Sequence, residues 1–189
     1  MADVFNPPRL HTRAFMIRSL HVPLVRSTTP RGYQVKTWDA RRIADVARVE
    51  FDAYAGTLDQ RLFHDSLNSV DACKEHLWQT TMRRGPFVFS PACSLMLLKN
   101  GEVCGFTVVS IADQSASLDN IAVHPEHRGG TGRALLVASM QRMVKIGLRS
   151  VSLTVTTANR RALRLYRDLG FVELARTPMA VPHRAPRER

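Results

Sequence analysis

The run Ile121–Leu136, I-A-V-H-P-E-H-R-G-G-T-G-R-A-L-L, constrains this chain more than any other stretch. An alternating apolar segment ends at Val123, glycines crowd positions 129, 130 and 132, and a helical pattern starts at once. Glycines at such a turn let several backbone N–H groups converge on one concavity. The helix N-terminus adds positive potential, so the turn suits a phosphate or pyrophosphate. Arg128 and Arg133 add further charge. The loop also reads as an ordinary turn when taken alone. Neither G-x-x-x-x-G-K-[ST] nor G-x-G-x-x-G occurs here, which argues against ATP or NAD as the ligand.

A second segment follows, T-T-A-N-R-R-A-L-R-L-Y-R-D-L-G-F, closing at Phe171. Spacings of three and four place Asn159, Ala162 and Tyr166 on one helical face, and the small Ala162 leaves that face shallow enough for a ligand. The same residues also describe a capped helix whose tyrosine is a core aromatic.

Around these segments the pattern is regular. A strand is expected over Tyr33–Trp38, with Asp39 capping a helix that runs to about Tyr54. A second helix spans Asp71–Arg84, and Cys93–Leu98 with Val103–Ser110 forms a hairpin turned by Asn100-Gly101. Strand Ser117–Val123, helix Thr131–Ile146 stopped by Gly147, strand Val151–Thr156, helix Asn159–Leu169 and a strand from Phe171 complete the order. A hairpin followed by strand, helix, strand and helix gives an α/β fold with a mixed sheet.

Residues 1–31 carry prolines at 7, 8, 23 and 30, and Leu10, Ala14, Ile17 and Leu24 fall on one stripe of a helix. This segment reads as a basic tail, partly helical, ahead of a domain at 32–182 and a second basic tail at 183–189. An arginine-rich, acid-poor start also fits a mitochondrial presequence or a start site displaced upstream of Met16.

Most of the formal charge of +11 sits in these ends: Arg9, Arg13, Arg18, Arg26 and Arg31 at one, and Arg176, Arg184, Arg187 and Arg189 at the other. The body offers no basic groove interleaved with aromatic side chains, so nucleic acid is a partner for the tails at most. No stretch approaches the roughly 20 apolar residues of a membrane span. Three cysteines without metal-ligand spacing point to buried reduced thiols and a cytoplasmic setting. His124 and His127 flank a proline without a third ligand and are expected to face solvent, so no metal is assigned.

The two segments together, in this order, resemble the acetyl-CoA-binding half of the GNAT acetyltransferases, and the likeness extends over about residues 32–182. It implies a mostly antiparallel sheet flanked by helices, in which the strand Ser117–Val123 splays from Val151–Thr156 to admit the pantetheine of acetyl-CoA. By the same resemblance the backbone of Ile121, Ala122 and Val123 pairs with that arm. The amides of Gly129, Gly130, Thr131, Gly132 and Arg133 hold the pyrophosphate, helped by Arg128. Asn159 touches the cofactor and Arg160 or Arg161 approaches its 3′-phosphate. His127 departs from the family by standing where arginine or glutamine is usual.

The resemblance further implies acetyl transfer to a primary amine by direct attack, without an acyl-enzyme. The Val123 N–H polarises the thioester carbonyl, and Tyr166 protonates the departing sulfur. Some relatives carry a glutamate at the position of Ser117 and others an acid at that of Asp119, so Asp119, acting through water, is the expected base. A non-catalytic CoA-binding module is the competing reading, and a homodimer is left open. Glu50, Asp52, Asp59, Asp65 and Asp71 crowd the region expected to form the acceptor wall. Such a patch favours a cationic acceptor: a small amine, a peptide N-terminus or a lysine. The same acids also read as solvated helix faces and caps, with Asp71 capping the second helix.

Overall fold

The computed structural model describes residues 10–180. In chain order the elements are β1 (Leu10–Ser19), β2 (Tyr33–Thr37), α1 (Ile43–Tyr54), α2 (Leu58–Leu62), α3 (His64–Leu67), α4 (Val70–Met82), β3 (Val88–Phe89) and β4 (Leu95–Lys99). Then come β5 (Glu102–Ala112), β6 (Ser115–Val123), α5 (Thr131–Lys145), β7 (Ser150–Thr156), α6 (Arg160–Asp168) and β8 (Val172–Ala180). The strands form one sheet in the order β2-β4-β5-β6-β7-β1-β8, with β3 paired to β5. Every pairing is antiparallel except β6 with β7.

Each face of the sheet is covered by the apolar stripe of a helix pair. Val46, Ala47 and Val49 of α1 and Cys73 and Leu77 of α4 pack on Met96, Phe106, Val108 and Ala122. On the other face Leu136, Val137 and Met140 of α5 and Leu163 and Tyr166 of α6 meet Ala14, Met16, Val151, Leu153 and Val155. All three cysteines are buried free thiols. Burial pushes the Cys104 thiol up to about 11.

The hairpin turns where the Asn-Gly pair requires it, since Asn100 and Gly101 both take positive φ (51° and 86°) and so match the twist of β4 and β5. Asp39 does cap, but the turn it caps is a short 3-10 segment, Ala40–Arg42, that leads into α1. The cap of α4 is Ser69, whose hydroxyl accepts from the Ala72 N–H at 3.1 Å, while Asp71 sits inside the first turn.

The start of the chain departs most from expectation. Leu10–Ser19 is a strand lying between β7 and β8, so within residues 1–31 this stretch is neither a tail nor a helix; residues 1–9 and 181–189 lie outside the described range. Ala14, Met16, Arg18 and Leu20 point inward in the strand's two-residue alternation. Arg18 sits on that inner face, only 3% exposed, because its guanidinium finds carbonyls. Its Nε donates to Leu169 O at 2.6 Å, beyond the C-terminus of α6, and its other nitrogens donate to Ser19, Val22 and Pro23 carbonyls. A cation there pairs with a carbonyl that the helix end leaves open and complements its dipole.

Candidate functional site

β6 and β7 touch only at their starts, over Ser115↔Ser150 to Ser117↔Ser152, and part thereafter. The parting opens a cleft of about 730 Å³, the size of a cofactor site. In the antiparallel ladder with β5, the His124 N–H donates to Cys104 O at 2.9 Å. Hydrogen-bonded pairs alternate along such a ladder, so Ala122 and Asn120 spend their backbone groups on β5. Ile121 and Val123 turn theirs toward the gap. The backbone of Ala122, expected to meet the pantetheine arm, is therefore engaged elsewhere, although the residue still lines the cleft.

A β-bulge at Asp119 shapes the rest of β6. Val108 pairs with Asn120 and Val109 with Leu118, leaving Asp119 as the extra residue. Ala116 and Leu118 therefore face α5 and α6, whereas Asn120 and Ala122 face α1. Asp119 lines the cleft with both carboxylate oxygens taken: Ser117 Oγ donates to Oδ1 at 2.7 Å and Ser110 Oγ donates to Oδ2.

At the phosphate end, Gly129 and Gly130 take φ of 109° and 100°, a left-handed region that side chains with a Cβ disfavour. Gly130 caps α5, and the buried Thr131 hydroxyl donates back to the His127 carbonyl, which holds the loop against the helix. Gly130, Thr131, Gly132 and Arg133 line the cleft, as do Arg128, Asn159, Arg161 and Ala162. Gly129 does not. Arg160 lies instead on a neighbouring shallow depression that it shares with Arg161 and Arg164. Arg128 donates to Ala53 O at 3.1 Å, and burial, then the like charge of Arg161, lowers its pKa. The glycine loop and the start of α6 thus bring two cations together where an anion would relieve their repulsion.

Asn159 caps α6 through its Oδ1, which accepts from the Ala162 N–H at 3.1 Å, and its side chain also lines the cleft. Tyr166 is 6% exposed, packed at a tilt on Phe171 with ring centroids 5.7 Å apart. Its hydroxyl has no protein partner among the described residues, and the residue lines the cleft. Burial, and then the charge of Asp59, pushes its pKa well above the usual phenol range.

His124 and His127 do not simply face solvent. His127 Nδ1 lies 3.1 Å from the Tyr33 hydroxyl, and His124 Nε2 lies 3.7 Å from Asp52. Among the described residues no three His, Cys, Asp or Glu side chains cluster as a metal site, and no helix is long and apolar enough to cross a membrane.

Of Glu50, Asp52, Asp59, Asp65 and Asp71, expected to form an acceptor wall, only Glu50 and Asp59 reach the cleft. Asp59 accepts from the Thr156 hydroxyl, and Arg13 of β1 stacks over Phe63 with its guanidinium 4.9 Å from the ring centre. Arg13, Tyr54, His76 and Asn120 also line this end and were not singled out by sequence. A signal for Glu50 exists: with Val46, Ala47, Val49 and Ala53 it falls on the buried stripe of α1, where an acid is out of place.

A splayed strand pair, a glycine loop opening a helix and a tyrosine-bearing helix across the gap define an acyltransferase scaffold of the α/β class. The chain belongs to the acetyltransferase (GNAT) family, whose model matches residues 61–171. It is 37% identical over 81 residues to the [ribosomal protein bS18]-alanine N-acetyltransferase of Escherichia coli K12, covering 42% of this chain and 55% of that protein. It is 30% identical over 179 residues to the mycothiol acetyltransferase of Thermobispora bispora, covering 90% of this chain and 57% of that one. The chain thus spans just over half the length of these curated relatives. A GCN5-related N-acetyltransferase from Sphaerobacter thermophilus shares the fold with a TM-score of 0.66 at 19% identity, over 92% of this chain and 51% of that one.

Proposed function

We propose that this chain transfers an acetyl group from acetyl-CoA to a primary amine. The observation that carries the reading is the gap between β6 and β7, which leaves the backbone groups of Ile121 and Val123 facing a cleft shared with the α5 N-terminus and Tyr166. Those amides suit an extended amide-bearing arm, and Gly130, Thr131, Gly132 and Arg133, with Arg128 and Arg161, suit its phosphates. Bound acetyl-CoA supplies an activated acyl group on sulfur. The Val123 N–H stabilises charge that develops on the acyl oxygen. Tyr166, kept neutral by its surroundings, gives a proton to the sulfur.

Asp119, fixed by Ser110 and Ser117, contributes negative charge at the acceptor end, and Glu50 and Asp59 add to it. That balance favours an acceptor that arrives as a cation: a small amine, a lysine or a peptide N-terminus. An alanine N-terminus is named for the Escherichia coli relative. The test has two arms. CoA should raise the melting temperature, and CoA release from acetyl-CoA should depend on an added amine or peptide. Saturating CoA that leaves unfolding unchanged, with no binding by calorimetry, refutes the reading.

A further inference from the structure

Among the described residues, three buried side-chain polar atoms find no hydrogen-bond partner: Arg13 Nε, Glu50 Oε2 and His76 Nδ1. All three side chains line the same cleft. Glu50 is the most enclosed of them, with no exposed surface. Its Oε1 accepts from Asn120 Nδ2 and lies 3.4 Å from His76 Nδ1. Asn120 in turn accepts from the Tyr54 hydroxyl at 3.4 Å. The His76 side chain remains 38% exposed, so its Nδ1 edge is sealed against the carboxylate while the rest of the ring is open. A buried carboxylate 3.4 Å behind a half-open imidazole favours a proton on the near ring nitrogen and leaves the far one to accept.

The neighbours do not compete for that proton. Burial first, then the charge of Glu50, raises the pKa of Tyr54 far above the usual range and that of the Cys73 thiol to about 12. Asp52, the next acid on α1, turns to His124. Arg13 and Asp59, farther along the wall, face each other's charge. Asn120, which anchors Glu50, immediately precedes Ile121, so the group stands next to the strand that faces the gap.

On the acetyl-transfer reading, we propose that His76 is the base that takes the proton of the attacking amine, with Glu50 as its positioning residue. An amine that arrives as a cation first loses one proton to water through His76, and its nitrogen lone pair then forms the new bond to the acyl carbon as the carbon–sulfur bond breaks. The nitrogen's proton passes to His76 Nε2, whose Nδ1–H faces Glu50. Tyr166 gives its proton to sulfur, and both residues are reset by exchange with water. Asp119 is less suited to the task because each of its oxygens already accepts a hydroxyl.

The test compares His76→Gln, His76→Ala, Glu50→Gln and Asp119→Asn in the full chain, with the best amine found for the wild type. His76→Gln should lower kcat about a hundredfold or more and flatten the acid limb of the kcat profile, with CoA-induced stabilisation retained. Added imidazole should restore part of the activity of His76→Ala. Glu50→Gln should also lower kcat, and Glu50→Asp should recover part of it. A His76→Gln protein with the wild-type rate and pH profile overturns the proposal, as does loss of the acid limb in Asp119→Asn alone. A wild type that binds CoA but turns over no amine overturns both this proposal and the reading it rests on. The half-exposed His76 variants keep the test decisive if Glu50→Gln fails to fold.

Discussion

Tyr166→Phe isolates one atom whose structural and chemical contributions can be separated. The ring is buried against Phe171 and the α6 side of the core, and phenylalanine keeps that packing. The hydroxyl bonds no protein group among the described residues, so its removal should change stability by less than about 1 kcal/mol. A general acid typically contributes a factor of about 10² to 10⁴, which is roughly 2.7–5.5 kcal/mol at the barrier. The expected variant therefore melts within about 3 °C of wild type, binds acetyl-CoA with similar affinity and loses at least a hundredfold in kcat. The sign of the pKa shift adds a second readout. Burial raises the tyrosine pKa above its ordinary value of 10.0, so the acid stays loaded throughout the neutral and mildly alkaline range. The wild-type rate should then show no loss of this proton below about pH 10. Coupled thiol detection of CoA release, calorimetry and thermal unfolding measure the three quantities. A variant that turns over at the wild-type rate, or one that fails by unfolding, would refute the reasoning.

Two further substitutions probe the frame of the site. Met16→Ala, in the wholly buried middle of β1, should cost about 2–5 kcal/mol and lower Tm by roughly 10 °C; a loss under about 1 kcal/mol would return this segment to the status of a tail. Gly105→Ala would place a Cβ 3.1 Å from Val123 Cγ2 and 3.2 Å from Ala122 O, pushing β6 away from β5. It should cost about 1–3 kcal/mol and weaken CoA binding by calorimetry, and unchanged affinity would show that Val123 is not held in place by this contact.

The glycine-loop side of the cleft was legible because its signals are local. A glycine loop between a strand and a helix, and an asparagine three residues ahead of Ala162, each declare their geometry within one turn of chain. The side lined by α1 and α4 is built from long-range contacts that no short window contains. Asn120 reads as a member of the same strand face as Leu118, and only the bulge at Asp119 sends it to α1. Glu50 stands out as an acid on the apolar stripe of α1, but what holds it there shows only once Asn120 and His76 are seen beside it. The cap of α4 went to Ser69 over Asp71 because both residue types cap well and the hydroxyl reaches Ala72. Helices α2 and α3, of five and four residues, are too short to show a period.

β1 escaped detection for a more instructive reason. An arginine at position 18 breaks the apolar alternation that marks a strand, yet that arginine is what the fold requires there, because it closes the C-terminal end of α6. The other end of α6 is Asn159, at the cleft, and its middle carries Tyr166. The same strand holds β7 along Arg13↔Thr156 to Ser19↔Ser150, while β6 holds it over only three positions. β7 can part from β6 to open the cleft because β1 secures its other edge. Arg13, at the outer end of that ladder, then reaches the cleft wall beside Asp59. One ten-residue strand thus fixes the helix that bears the proposed acid, frees the edge that opens the cleft and supplies a charged side chain to the cleft wall.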